Sequence, residues 1–212
     1  ENIQKQVNFE DIYLATMYER NIESYNVSMK DALSGEHKDL CIEAIRSELL
    51  NMIKYKVFEP VMNSSGNKVL PSKTFLKEKF RDDKFWKWKA RLVCGGHRQF
   101  AVDEETSSPT IHNHSVMLIA GMATYEKTNL NTADVPAAYL NAYIDSPTYM
   151  MLGSEESKVL CELDEIYIKY LQSNGTLILK VVKALYGLKQ SAFAWYKYCL
   201  LYTSPSPRDG LL

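Results

Sequence analysis

The sequence lacks a CxxC pair, a long apolar run, an appreciable net charge and any internal repeat, and each absence narrows its class. Its four cysteines, Cys41, Cys94, Cys161 and Cys199, lie far apart. A zinc site needs ligands clustered at short spacings. Cys94-Gly-Gly-His97 is one possible pair of ligands, no second pair follows it, and the cysteines read as buried or incidental thiols. The longest stretch without a charged residue, 106–125, is broken by serines, histidines and an asparagine. Only residues 116–123 are continuously apolar, far short of the roughly 20 that a membrane span needs. The opening Glu1-Asn2-Ile3-Gln4-Lys5-Gln6 is polar and does not read as a signal peptide. These features predict a soluble, intracellular protein with no membrane partner. Formal net charge is −1, from 25 basic and 26 acidic residues, so the average suggests no special partner.

What is present suits a folded chain. Of 212 residues, 46% are hydrophobic, 24% charged and 11% aromatic, which excludes wholesale disorder. Residues 1 to about 36 are mixed and weakly periodic. From Lys38 the pattern sharpens: Leu40, Cys41, Ala44, Ile45, Leu49, Met52 and Ile53 recur at helical spacing and predict an amphipathic helix. Two strand-like runs, 68–80 and 85–94, flank Arg81-Asp82-Asp83-Lys84 and predict a hairpin. In the second run, Trp86, Trp88, Ala90, Leu92 and Cys94 alternate with Lys87, Lys89 and Arg91. Residues 115–125 are apolar nearly all round and predict a buried helix. Residues 130–135 predict a short strand ended by Pro136, 159–171 fit either strand or helix, and Asn174-Gly175 marks a turn. A strand over 177–182 and a glycine turn leading into an aromatic-rich helix complete the chain. The mixed order predicts an α+β fold of mixed antiparallel strands with packed helices.

The balanced charge conceals a segregation. Residues 68–98 carry ten basic against three acidic residues, a net of +7, whereas 134–165 carry seven acids against Lys158 alone, a net of −6. Alternate strand residues lie about 6.8 Å apart, so Lys87, Lys89 and Arg91 form a row of cations. Such a row suits polyphosphate or a nucleic-acid backbone, and it equally suits the solvated face of a half-buried sheet.

Five short strings follow one another: Lys89-Ala90-Arg91-Leu92-Val93, Ser107-Ser108-Pro109-Thr110, Ala133-Asp134-Val135-Pro136-Ala137-Ala138-Tyr139-Leu140, Thr148-Tyr149-Met150, and Leu185-Tyr186-Gly187-Leu188-Lys189-Gln190 with Trp195 soon after. In this order they resemble the reverse transcriptase of copia-type LTR retrotransposons, over about residues 31–198. The departures are Ser191-Ala192-Phe193 where that family has Ala-Pro-Arg, Cys41 in place of an early Trp, and Cys94-Gly95-Gly96 after the KARLV string.

The resemblance implies the fingers and partial palm of a right-hand polymerase over 31–198, preceded by a linker or leader at 1–30. It implies an RNA-directed DNA polymerase that uses two magnesium ions, acts on an RNA or DNA template-primer and a deoxynucleoside triphosphate, and works beside integrase and RNase H regions of one polyprotein. The compartment it implies is a cytoplasmic particle of the element or the nucleus. Asp134 becomes the catalytic, metal-binding carboxylate; on the residues alone it reads as the cap of the turn at Pro136. Two metals about 3.5–4 Å apart need several carboxylates. Val135, Ala137 and Ala138 become nucleotide contacts through their backbone, and Tyr139 the aromatic ring under the deoxyribose. Lys89 and Arg91, with Lys79, become phosphate contacts. Gly187, Lys189 and Gln190 become contacts to template or nucleotide. His112 and His114 read as surface histidines.

The family's other two metal-binding acids lie in a Tyr-Val-Asp-Asp string that this sequence does not contain, so the chain by itself is expected to be inactive. A non-catalytic nucleic-acid-binding fragment of a decayed element is the alternative. Residues 199–212 resemble the translation of a sequencing-library transposase adapter and are expected to be a non-native tail.

Overall fold

The computed structural model describes residues 22–63, 66–82, 84–99, 105–131 and 135–203. Periodicity accounts for most of its elements. Strand β1 (Ile22–Val27) is followed by a short helix α1 (Met29–Ser34), whose first turn is capped where the Ser28 hydroxyl accepts the Asp31 N–H at 3.2 Å. In α2 (Lys38–Lys54), Cys41, Ile45, Leu49 and Met52 form the buried stripe that their spacing predicts. Leu40, one residue off that stripe, stays exposed. A turn leads to β2 (Phe58–Val61).

Strands β3 (Val69–Arg81) and β4 (Lys84–Cys94) form the expected antiparallel hairpin. The C-terminal half of β3 also pairs with β1, from Ile22↔Arg81 to Val27↔Leu76. Six residues at the end of the stretch that reads as leader therefore form a strand. Its Glu-Ser-Tyr-Asn sequence hides it because an edge strand facing solvent needs no hydrophobic alternation.

The other end of β3 turns to a different neighbour. Val69, Leu70 and Pro71 pair in parallel with β5 (Tyr143–Leu152), which pairs antiparallel with β6 (Leu177–Lys183), and β6 pairs antiparallel with β2. The order is β1-β3-β5-β6-β2, with β4 on β3. Strands and helices mix as the sequence predicts, but the sheet is itself mixed, because β3 and β5 run the same way. Leu177, Leu179 and Val181 alternate along β6 and are fully buried with Leu70, Met150, Leu152, Leu160 and Leu185. Burying each such leucine or valine contributes about 1.5–3 kcal/mol. Helix α4 (Ser154–Leu163) closes this core and is tied to α2 by an Arg46–Glu162 ion pair of 2.6 Å.

Three expectations need correction or completion. Residues 113–125 do form a helix, α3 (Asn113–Tyr125), but none of its residues is buried, and Met117 and Leu118 are 72% and 65% exposed. Uniform apolarity predicts burial only where another element covers the helix. The short strand expected over 130–135 is not formed at Leu130, Asn131 or Val135, and Thr132, Ala133 and Asp134 lie outside the described residues. The ambiguous 159–171 run is helical: α4, then a 3-10 turn over Glu165–Tyr170, capped where Asp164 accepts the Ile166 N–H at 3.0 Å. Helix α5 (Ser191–Thr203) ends the described chain and includes residues 199–203 of the segment that resembles adapter. Among the described residues no helix is long and apolar enough to cross a membrane.

Candidate functional site

Cross-strand register decides which hairpin side chains share a face. Phe75 stands opposite Arg91, Lys77 opposite Lys89, and Lys79 opposite Lys87, while β1 sets Asn26 beside Lys77 and Ser24 beside Lys79. With Lys73, opposite Val93, the face carries six cations. Among the described residues none of the six is in an ion pair. Partial burial, and then the repulsion of Lys89, Lys87, Lys77 and Arg91, push the Lys79 ammonium below the ordinary lysine range. A face so charged and so little compensated favours an anion.

The opposite face of β4 packs on α2, with Ala90, Leu92 and Cys94 buried. There the Glu48 carboxylate accepts the Leu92 N–H at 3.2 Å. Burial raises the Glu48 pKa, while that hydrogen bond and the positive charges of Arg91 and Lys89 pull it back. Glu48 thereby holds the strand at Leu92, next to Arg91.

The cationic face is closed on one side by the turn that carries Tyr186 and Gly187. The result is a cavity of about 390 Å³ lined by Ser24, Phe75, Lys77, Lys79, Lys89, Arg91, Val93, Tyr186 and Gly187. The Arg91 guanidinium lies over the Tyr186 ring at 4.4 Å, and the Tyr186 ring stands 5.1 Å from that of Tyr139. A cation on an aromatic face is attracted by its quadrupole, so Tyr186 orients Arg91 and joins it to Tyr139.

The turn is held by an unusually close backbone approach. The Cys94 N–H donates to the Tyr186 carbonyl at 2.8 Å, and the Gly95 N–H to Pro71 at 2.7 Å. A Cβ on Gly96 would collide with the Gly187 carbonyl, and one on Gly187, at φ +91°, with the Cys94 carbonyl. Gln99 then bridges the two segments: its amide donates to Gln190 Oε1 at 3.0 Å, and its Oε1 accepts the Lys189 N–H at 3.0 Å. The Lys189 ammonium donates to the Gln99 carbonyl at 3.1 Å. The Cys94-Gly95-Gly96 departure is thus the element that lets the hairpin dock on the Gly187 turn.

Of the residues singled out by sequence, Lys79, Lys89, Arg91 and Gly187 line the cavity, and Tyr139 reaches it through Tyr186. Lys189 and Gln190 do not line it, and Gln190, only 2% exposed, is bonded to Gln99. Val135 is exposed, and Ala137 sits at φ +53° just before the 3-10 turn Ala138–Asn141. That dihedral costs a non-glycine residue about 1–3 kcal/mol. None of these three residues lines the cavity. Asp134 lies outside the described residues. Among the described residues no three His, Cys, Asp or Glu side chains come together to hold a metal ion, so those residues do not fit a metal pair. Ser24, Lys77 and Tyr186 are not singled out by sequence; the Lys73-x-x-x-Lys77-x-Lys79 spacing is the one signal that points to Lys77.

A family model described as reverse transcriptase (RNA-dependent DNA polymerase) matches residues 55–203. The chain is 28% identical over 172 residues to the Retrovirus-related Pol polyprotein from transposon TNT 1-94 of Nicotiana tabacum, covering 80% of this chain and 12% of that protein. It is 27% identical over 183 residues to the Transposon Ty1-BL Gag-Pol polyprotein of Saccharomyces cerevisiae, covering 82% of this chain and 9% of that protein. The chain therefore spans only a small part of the length of these relatives. No solved structure matches it significantly.

Proposed function

The chain belongs to the reverse transcriptase (RNA-dependent DNA polymerase) family, and on that premise we propose that it is the nucleotide-binding part of an RNA-directed DNA polymerase carried in a copia-type Pol polyprotein. Strands β1, β3 and β4 are its fingers; β2, β5 and β6 with their helices begin its palm. The observation that supports this reading is the cavity into which Lys77, Lys79, Lys89 and Arg91 converge, with no ion-paired acid among the described residues. It receives the triphosphate of a deoxynucleotide. Arg91 is the strongest contact, because a guanidinium meets phosphate oxygens in two parallel hydrogen bonds, and Tyr186 sets its plane.

Tyr139 lies under the sugar and excludes a 2′-hydroxyl. The backbone of Val135, Ala137 and Ala138 meets the same nucleotide, and Gly187 and Lys189 approach the template. Gln190 acts through Gln99, holding the turn rather than touching nucleic acid. Asp134 is the metal-binding carboxylate of this segment, and the further acids that two magnesium ions require come from outside the described residues. With no Tyr-Val-Asp-Asp string in the sequence, the 212 residues alone are expected to be inactive. Template-primer, and the integrase and RNase H regions of the same polyprotein, are the partners.

The test uses a longer polymerase that contains this region. Asp134→Asn is expected to abolish magnesium-dependent primer extension while leaving template-primer binding intact. Extension at the unsubstituted rate would remove Asp134 from the centre of the reaction.

A further inference from the structure

The hairpin register contains one irregularity. Pairing runs Lys79↔Lys87 and then jumps to Phe80↔Phe85, so Trp86 is an extra residue without a partner across the ladder. A bulge of this kind re-aims a side chain and is common beside functional sites. Strict alternation would set Trp86 with Trp88 on the face that packs on α2. Instead its ring lies against the ammonium groups of the cationic face, 4.1 Å from Lys87 and 5.8 Å from Lys79. The ring is 41% exposed and its neighbour Phe85 43%. The ring attracts the two ammonium groups through its quadrupole, and an exposed aromatic surface held beside positive charge suits a ligand that is at once aromatic and anionic.

Only one macromolecule offers aromatic faces linked by regular negative charges. From Trp86 the opposed pairs Lys79/Lys87, Lys77/Lys89 and Phe75/Arg91 succeed one another along the strands, about 6.8 Å per step. That step is comparable to the phosphate spacing of an extended, unstacked strand. A duplex hides its base faces and could use the lysines but not the ring.

We propose that Trp86 is a stacking platform for an unpaired base of single-stranded nucleic acid whose adjoining phosphate lies on Lys87. Both stand near the hairpin tip and neither lines the triphosphate cavity, whereas Lys79 does and marks where the two sites adjoin. The proposal rests on the polymerase reading in that the strand it holds is the unpaired template.

Binding of a fluorescent ten-nucleotide oligouridylate to the 212-residue chain tests it without requiring catalysis. Trp86→Ala is expected to weaken binding about tenfold, in line with the loss of one stacked base, with an unchanged salt slope. Trp86→Phe, which keeps a ring, should recover most of the affinity and rule out a folding defect. Lys87→Ala should instead lower the salt slope by about 1. The proposal is overturned if the unsubstituted chain does not bind the oligonucleotide, if Trp86→Ala binds as tightly, if Trp86→Phe is as weak as Trp86→Ala, or if a polyglutamate peptide competes equally well. Oligonucleotide binding that depends on Trp86, in a chain that fails to bind deoxynucleotide, would sink the polymerase reading and leave this surface standing.

Discussion

At the residue scale, the arrangement turns on Arg91, Tyr186 and Tyr139, three side chains from three separate segments that meet ring to ring and cation to ring. Alternation alone puts Lys89 and Arg91 on one face of β4, so these two are legible in the sequence. Tyr186 is not, because nothing local says that its turn returns to β4; that depends on Cys94 and Gly96 meeting Gly187 across some 90 residues. Ser24 and Lys77 become visible only when β1 and β3 are paired. Tyr139 is singled out by family resemblance alone, and its half-buried ring stands 5.1 Å from that of Tyr186. In a longer polymerase, Tyr139→Ala should raise incorporation of ribonucleotides relative to deoxynucleotides by at least tenfold. Competition between the two substrates at one template position measures it, and an unchanged ratio would assign the ring to packing alone.

At the scale of elements, the hairpin, α2 and β6 follow directly from hydrophobic period, whereas two other elements show where that reasoning stops. Helix α3 has the composition of a core helix and buries none of its residues; apolarity specifies a need for cover, not what supplies it. Strand β1 has little hydrophobic signal and is held by ladder hydrogen bonds to β3. The docking of the hairpin on the Gly187 turn is the joint that shapes the cavity. Gly187 combines a left-handed dihedral with contact to the Cys94 carbonyl and the Val93 side chain. Gly187→Ala should therefore cost about 1–3 kcal/mol from the dihedral alone, read as a lowered urea midpoint. A substitution without effect on that midpoint would mean that the turn does not clamp the hairpin.

At the scale of the whole molecule, a nearly neutral chain is divided into a basic hairpin and an acidic segment. The folded hairpin gathers the basic part further, placing Lys73, Lys77, Lys79, Lys87, Lys89 and Arg91 on one surface. Composition could not show this, since the average charge is −1; segregation along the chain hints at it, and strand pairing produces it. Among the described acids of the 134–165 segment, Asp145 pairs with Lys197, Glu155 with Lys158 and Glu162 with Arg46, and none is in an ion pair with those six cations. Among the described residues no acid pairs with these cations, and the central claim is that their partner is a nucleotide's triphosphate. Calorimetric titration of a deoxynucleoside triphosphate with magnesium into the 212-residue chain tests it most directly, comparing the unsubstituted protein with Arg91→Ala. The account predicts binding that weakens about tenfold or more on losing one charge-assisted contact and that falls as salt rises. Equal affinity in the two proteins would contradict it.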